Sequence, residues 1–137
     1  MIFFKAQQMQ QLAELLLELE RSLEREGGEP PHELVQRLDV EARNTGIPLD
    51  LLRLSHPDTL EEILAPGGSG DPGRMWGAAE LLYLDGLLAL AEGDSDQAAD
   101  RLGKAERLYR RVEPGLELPE GAVPLEERRA ALRELLP

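Results

Sequence analysis

The side chains best suited to acid–base or metal chemistry near neutral pH are histidines, and this chain has two, His32 and His56. Each sits beside a proline where a helical pattern begins, in Pro31-His32 and His56-Pro57. An imidazole there serves as a capping or solvated group. His32-Glu33 is no metal motif, because adjacent helical side chains diverge. Glu61-Glu62, Glu126-Glu127 and Glu14 with Glu18 supply the residue types of glycoside hydrolysis or a di-metal centre. They read as charged helix faces, since a di-metal bundle needs Glu-x-x-His on inward helix faces and no helical segment carries one. With no cysteine, thiolate metal sites, thiol nucleophiles and disulfides are excluded. Residues 67–73, GGSGDPG, lack the Lys-Ser/Thr of a phosphate-binding loop. The expectation is a protein that is not an enzyme, with no catalytic residue, metal or cofactor.

Charge narrows the partners. A net charge of −12 repels a phosphate backbone, so no nucleic-acid partner is expected. The densest basic cluster, Arg107, Arg110 and Arg111, is flanked by Glu106 and Glu113 and suits a helix C-terminus. One carboxylate stands out. Asp85 interrupts a strongly apolar helix formed by Leu82, Leu84, Leu87 and Leu88; it is expected on a narrow exposed strip shared with Glu92, and otherwise it must pair with an arginine such as Arg101.

These residues are positioned by helices. Apolar residues are 42% of the chain and aromatics 4%, which suits close helix packing better than strands. From Ile2 to about Arg25, Met9, Leu12, Leu16, Leu19 and Leu23 alternate by three and four, an amphipathic helix that packs on a core or forms a dimer seam broken at Lys5. Gly27-Gly28 and Pro30-Pro31 end it. A second helix, His32 to about Asn44, carries Leu34, Val35, Leu38 and Ala42 and should lie antiparallel to the first. Two short helices follow, Leu49 to Leu54 and Pro57 or Asp58 to Ala65, with Ser55 and Asp58 competing as N-cap. Residues 66–73, PGGSGDPG, read as a flexible linker. From Met75 to Ala91 the sequence is apolar on nearly every side, interrupted by Glu80 and Asp85, as for a central buried helix. After the Gly93-Asp94-Ser95 turn, Ala98, Leu102, Ala105, Tyr109 and Val112 form an inner stripe that stops at Pro114-Gly115. A terminal helix should dock Leu125, Leu132, Leu135 and Leu136. The expected layout is one all-α domain over 1–137: N-terminal helices in 1–65, linker in 66–73, hairpin in 74–114 and C-terminal helix in 124–136.

Within 78–114, Gly86, Gly93-Asp94, Ala98 and Ala105 stand at the small-residue and turn positions of a tetratricopeptide hairpin, a unit of about 34 residues, with Leu102 and Leu108 at its large apolar positions. The segment resembles that family. It departs at Leu82, Asp85 and Ala89, where the family favours tryptophan, leucine and tyrosine. The whole layout, with the segments LDLLRLSHPDTLEEIL and LALAEGDSDQAADRLGKAERLY, is similar to a family of small uncharacterised bacterial proteins, a domain of unknown function with tetratricopeptide-like helices. The resemblance implies antiparallel helical hairpins packed through Gly86, Gly93, Asp94, Ala98, Leu102 and Ala105. It implies no activity. On the positions that match, the inner surface offers Glu80, Tyr83, Leu87 and Leu90 as a partner-contact strip. That strip is too apolar to face water uncovered, so the N-terminal helices, a second copy or another protein must cover it.

The expected function is a helical protein–protein interaction or scaffold module, a homodimer that presents helical surfaces to another protein. The alternatives are an acidic regulator that shields a basic partner and a small-ligand protein with a pocket between helices. The opening twenty residues lack a signal or membrane-span pattern, so a cytoplasmic protein without a membrane partner is expected.

Overall fold

The computed structural model describes residues 6–25, 32–68 and 70–136. Over these residues the chain is all-α: α1 (Ala6–Glu24), α2 (His32–Asn44), α3 (Leu49–Leu54), α4 (Pro57–Leu64), α5 (Pro72–Ala91), α6 (Ser95–Arg111) and α7 (Leu125–Leu135). No strand occurs among them. The dense leucine and alanine stripes set this outcome, since each needs a helical neighbour to cover it.

The seam of α1 is used inside the molecule. Met9, Leu12, Leu16 and Leu19 are buried and Leu23 is partly buried against the same core. Lys5, Gly27-Gly28 and Pro30-Pro31 lie outside the described residues. α5 runs through the centre, with every residue from Met75 to Gly86 buried, and it packs most extensively on α6 and then on α1.

Helix ends correct two expectations. α4 is capped by neither Ser55 nor Asp58; His56 takes the position, its Nδ1 accepting from the Asp58 backbone N–H at 3.2 Å. The stretch expected as a flexible linker over 66–73 carries regular structure at both of its described ends. Pro66–Gly68 form a 3₁₀ turn, and α5 already begins at Pro72, where a proline at the first helical position loses no bond. Asp71 caps it, its Oδ1 accepting from the Gly73 N–H at 2.9 Å. Gly70 lies so close to the end of α4 that a Cβ there would run into the Leu64 carbonyl oxygen.

The α5–α6 turn closes with Gly93 at φ 82°. The Asp94 N–H donates to Ala89 O at 2.9 Å and the Gly93 N–H to Leu90 O at 3.0 Å, the bond pair of a Schellman end. Asp94 Oδ1 then accepts from the Gln97 N–H at 3.1 Å and starts α6. Ala98, Leu102, Ala105, Tyr109 and Val112 are all buried. At the crossing, a Cβ on Gly86 would stand 2.7 Å from Leu102 Cδ2, so the helices approach closer there than any other residue permits. No helix among the described residues is long and apolar enough to cross a membrane.

Two glycines inside helices should behave oppositely. Gly86→Ala should destabilise by ~1–3 kcal/mol through overpacking. Gly103→Ala, whose added Cβ meets nothing within 4 Å, should stabilise by ~0.5–1 kcal/mol through helix propensity. Urea unfolding of both variants checks the pair; equal effects of one sign would contradict the close crossing.

Candidate functional site

The chemistry available to this fold is concentrated on α5. Glu80 and Asp85 are five residues apart, about 140° around a helix axis, so one helix presents carboxylates to two different sides. Both are buried, Glu80 at 1% and Asp85 at 4% exposure. A carboxylate so placed must be hydrogen-bonded and paired.

Asp85 meets two arginines. Arg53 of α3 grips it with Nε on Oδ2 at 2.9 Å and Nη2 on Oδ1 at 2.6 Å, the bidentate geometry that guanidinium shape favours. Arg101 of α6 adds Nε on Oδ2 at 2.6 Å. The exposed strip shared with Glu92 is therefore overturned: α3 and α6 close over that side of α5, and Arg101 is joined by Arg53. Hydrogen bonding to Asp85 raises the Arg53 pKa against the lowering effect of burial. One turn along α6, Lys104 is 5% exposed and donates to Arg53 O at 2.7 Å and Leu52 O at 3.3 Å. An ammonium thus caps the carbonyl end of α3.

Glu80 anchors the second cluster. Arg128 of α7, 3% exposed, places Nε on Glu80 Oε1 at 2.8 Å and Nη2 on Oε2 at 2.9 Å, and the same Nη2 reaches Glu20 Oε1 of α1 at 2.5 Å. Tyr109 of α6 donates its hydroxyl to Glu80 Oε1, and the guanidinium carbon of Arg128 stands 4.4 Å from the Tyr83 ring centroid, within cation–π range. Four helices meet at this one group. Burial works against the Arg128 charge, but Glu80 and Glu20 hold its pKa above the ordinary value. Burial, reinforced by Glu80, pushes the Tyr109 phenol well up, and burial also raises Tyr83.

Beside this cluster, α1, α5 and α7 leave an open groove of about 550 Å³. Tyr83 and Leu87 of α5 form its floor, with Leu23 of α1 and Ala131 and Leu135 of α7 on the walls. Ala91 of α5, Glu20 and Glu24 from α1 and Glu134 from α7 complete the lining. A volume within the ordinary range of ~300–1,000 Å³ is large enough for side chains of a partner, and its open side suits an elongated occupant better than an enclosed small molecule.

Of the partner-contact strip expected from the sequence, Tyr83 and Leu87 line this groove. Glu80 does not: it is consumed by Arg128 and Tyr109 beneath the floor. Leu90 is 40% exposed and lies outside the lining. Gly86 meets Leu102 where α5 and α6 cross, Gly93 and Asp94 form the turn between them, and Ala98 and Ala105 are buried on α6. The histidines and carboxylate pairs stay apart from the groove. Glu61 and Asp58 instead hold Arg107, which bonds Glu61 Oε1 at 2.6 Å and also reaches Asp58. Arg110 pairs with Glu106 at 2.6 Å. Two of the three arginines of the basic cluster are thereby neutralised in place. Sequence reasoning missed Arg53, Lys104, Glu20 and Arg128. A signal existed for Arg128, which stands on the Leu125–Leu132 stripe of α7, three residues after one leucine and four before the other.

The buried cluster has a testable energetic signature. Arg128→Ala should cost ~3–5 kcal/mol because it strands Glu80 without a cation; Tyr109→Phe, which leaves both arginine bonds intact, should cost ~1 kcal/mol, with urea unfolding as the measurement. Since the folded state keeps the Tyr109 and Tyr83 phenols protonated where the unfolded chain ionises, their contribution is full below about pH 10 and lost as pH rises through the raised folded values. Stability should fall above about pH 10, and the fall should be shallower in Tyr83→Phe/Tyr109→Phe, followed by unfolding at pH 8 to about 11. Compared with protein-family models, with curated proteins and with solved structures, the chain finds no match in any of the three.

Proposed function

We propose that this protein is a non-enzymatic helical interaction module whose α1–α5–α7 groove receives an amphipathic helix from a protein partner. The observation that carries the reading is the groove itself, with a Tyr83-Leu87 floor from α5 and apolar walls from α1 and α7. Apolar anchors spaced at i, i+3, i+4 and i+7 are what such a groove accepts. The acidic side chains that could do chemistry favour binding over turnover: Glu80 and Asp85 are occupied by arginines and neither lines the groove. A small ligand fits less well, because ligand sites normally enclose ~70–90% of the ligand surface. The reading is of a cytoplasmic protein that acts by docking, in keeping with a tetratricopeptide-like hairpin at its centre.

A homodimer is a second reading, favoured by Leu51 and Leu54. They stand three residues apart on α3 at 39% and 87% exposure, an apolar pair that a second copy would cover.

The groove reading is checked by titrating the ¹⁵N-labelled protein with a peptide of about 16 residues, long enough to hold a helix, carrying leucines at i, i+3, i+4 and i+7 and otherwise uncharged. Amide shifts should concentrate around Leu23, Leu87, Ala131 and Leu135, and Leu87→Glu should weaken binding at least about tenfold, as for an anchor pocket. Shifts scattered over the surface, or a neutral Leu87→Glu, would sink it. Light scattering of the free protein reads the second copy directly: a monomer at all concentrations removes the homodimer and leaves the groove untouched.

A further inference from the structure

The acidic lining of the groove specifies its occupant further, and this step rests on the groove being the docking site. Of the three carboxylates there, Glu20 is partly neutralised by Arg128. Glu24 and Glu134 are exposed and take part in no ion pair or hydrogen bond among the described residues. They come from opposite walls, α1 and α7. Arg128 is already shared between Glu20 and Glu80, and among the described residues no cation lines the groove. Arg21, Arg25 and Arg133 occur on or beside the same helices but do not line the groove. The net −12 of the chain adds a long-range field of the same sign.

We propose that the partner segment is a basic amphipathic helix, with apolar anchors seated on Tyr83 and Leu87 and lysines or arginines along its flanks meeting Glu24 and Glu134. The charges explain why this occupant is favoured over the others. A second copy docked groove to groove would bring the acidic rim of Glu24 and Glu134 against an identical acidic rim, since a two-fold interface pairs one patch with itself, and like charges opposed across an interface are costly. An acidic helix meets the same repulsion. A lysine or arginine near the rim keeps its apolar stem on the groove wall and its charge against the carboxylate, so one side chain satisfies both features of the surface.

Three labelled peptides of about 16 residues, identical in their leucine positions and carrying lysine, glutamine or glutamate on the flanks, test this by fluorescence anisotropy on the full chain. The lysine peptide should bind at least about tenfold more tightly than the glutamate peptide at low salt, with the difference shrinking as salt rises to about 0.5 M and screening shortens the field. Glu24→Lys/Glu134→Lys, two exposed changes that leave the core intact, should reverse the preference. If lysine and glutamate peptides bind alike and Leu87→Glu still abolishes both, the groove is a docking site but the basic partner is wrong. If a preference for lysine survives both Leu87→Glu and the double reversal, binding is general attraction to an acidic surface and the proposal falls. Binding by none of the three peptides overturns the groove reading itself.

Discussion

A carboxylate on a central helix cannot leave water without a cation to meet it, and this constraint organises the molecule. α5 carries two, Glu80 and Asp85, on sides about 140° apart. Burying either alone would cost several kcal/mol, so each side of α5 is fixed by the arginine it requires. Asp85 draws in Arg53 and Arg101, which sets α3 against α5 and α6. Glu80 draws in Arg128, which sets α7 against α5 and, through Glu20, against α1. Leucine and alanine packing supplies the bulk of the driving force but has little direction. The bidentate guanidinium–carboxylate pairs supply the direction.

The groove is a consequence of the same pairing. α7 packs chiefly on α6; Arg128 ties it to Glu80 of α5, Leu132 is fully buried, and Ala131, Glu134 and Leu135 line the groove. Glu20 belongs to both: one oxygen accepts from Arg128 and the side chain borders the opening. Stability and surface chemistry are thus joined at one arginine. Tyr83 shows the same double use, with its ring against the Arg128 guanidinium and its surface on the groove floor.

Much of the architecture was legible because its signals are local. The α2 and α3 boundaries, the Gly93-Asp94-Ser95 turn and the buried stripe of α6 follow from periodicity and from residues that stop or start a helix within a few positions. At α4 the sequence offers Ser55 and Asp58, but His56, a less usual capping residue, takes the position by accepting from the Asp58 backbone N–H. The glycine- and proline-rich stretch at 66–73 reads as mobile by composition, yet the same residues start α5 once Asp71 has an N–H to accept and Gly70 has the end of α4 to lie against. Composition reports what a segment can do, and packing decides which of those things it does.

What the sequence by itself determined is the helical class, most helix ends and the apolar faces, because those depend on neighbours three or four residues away. It also marked Asp85 and Glu80 as polar residues in an apolar helix. Only the tertiary structure decided that both are buried, that Arg53 and Arg128 are their partners, and that Tyr83 and Leu87 border a groove beside them while Glu80 does not. The physical reason is distance along the chain. The Leu125–Leu132 stripe marks Arg128, and not its neighbour Arg129, as inward-facing, but the carboxylate that Arg128 meets lies 48 residues away, and no local pattern names it.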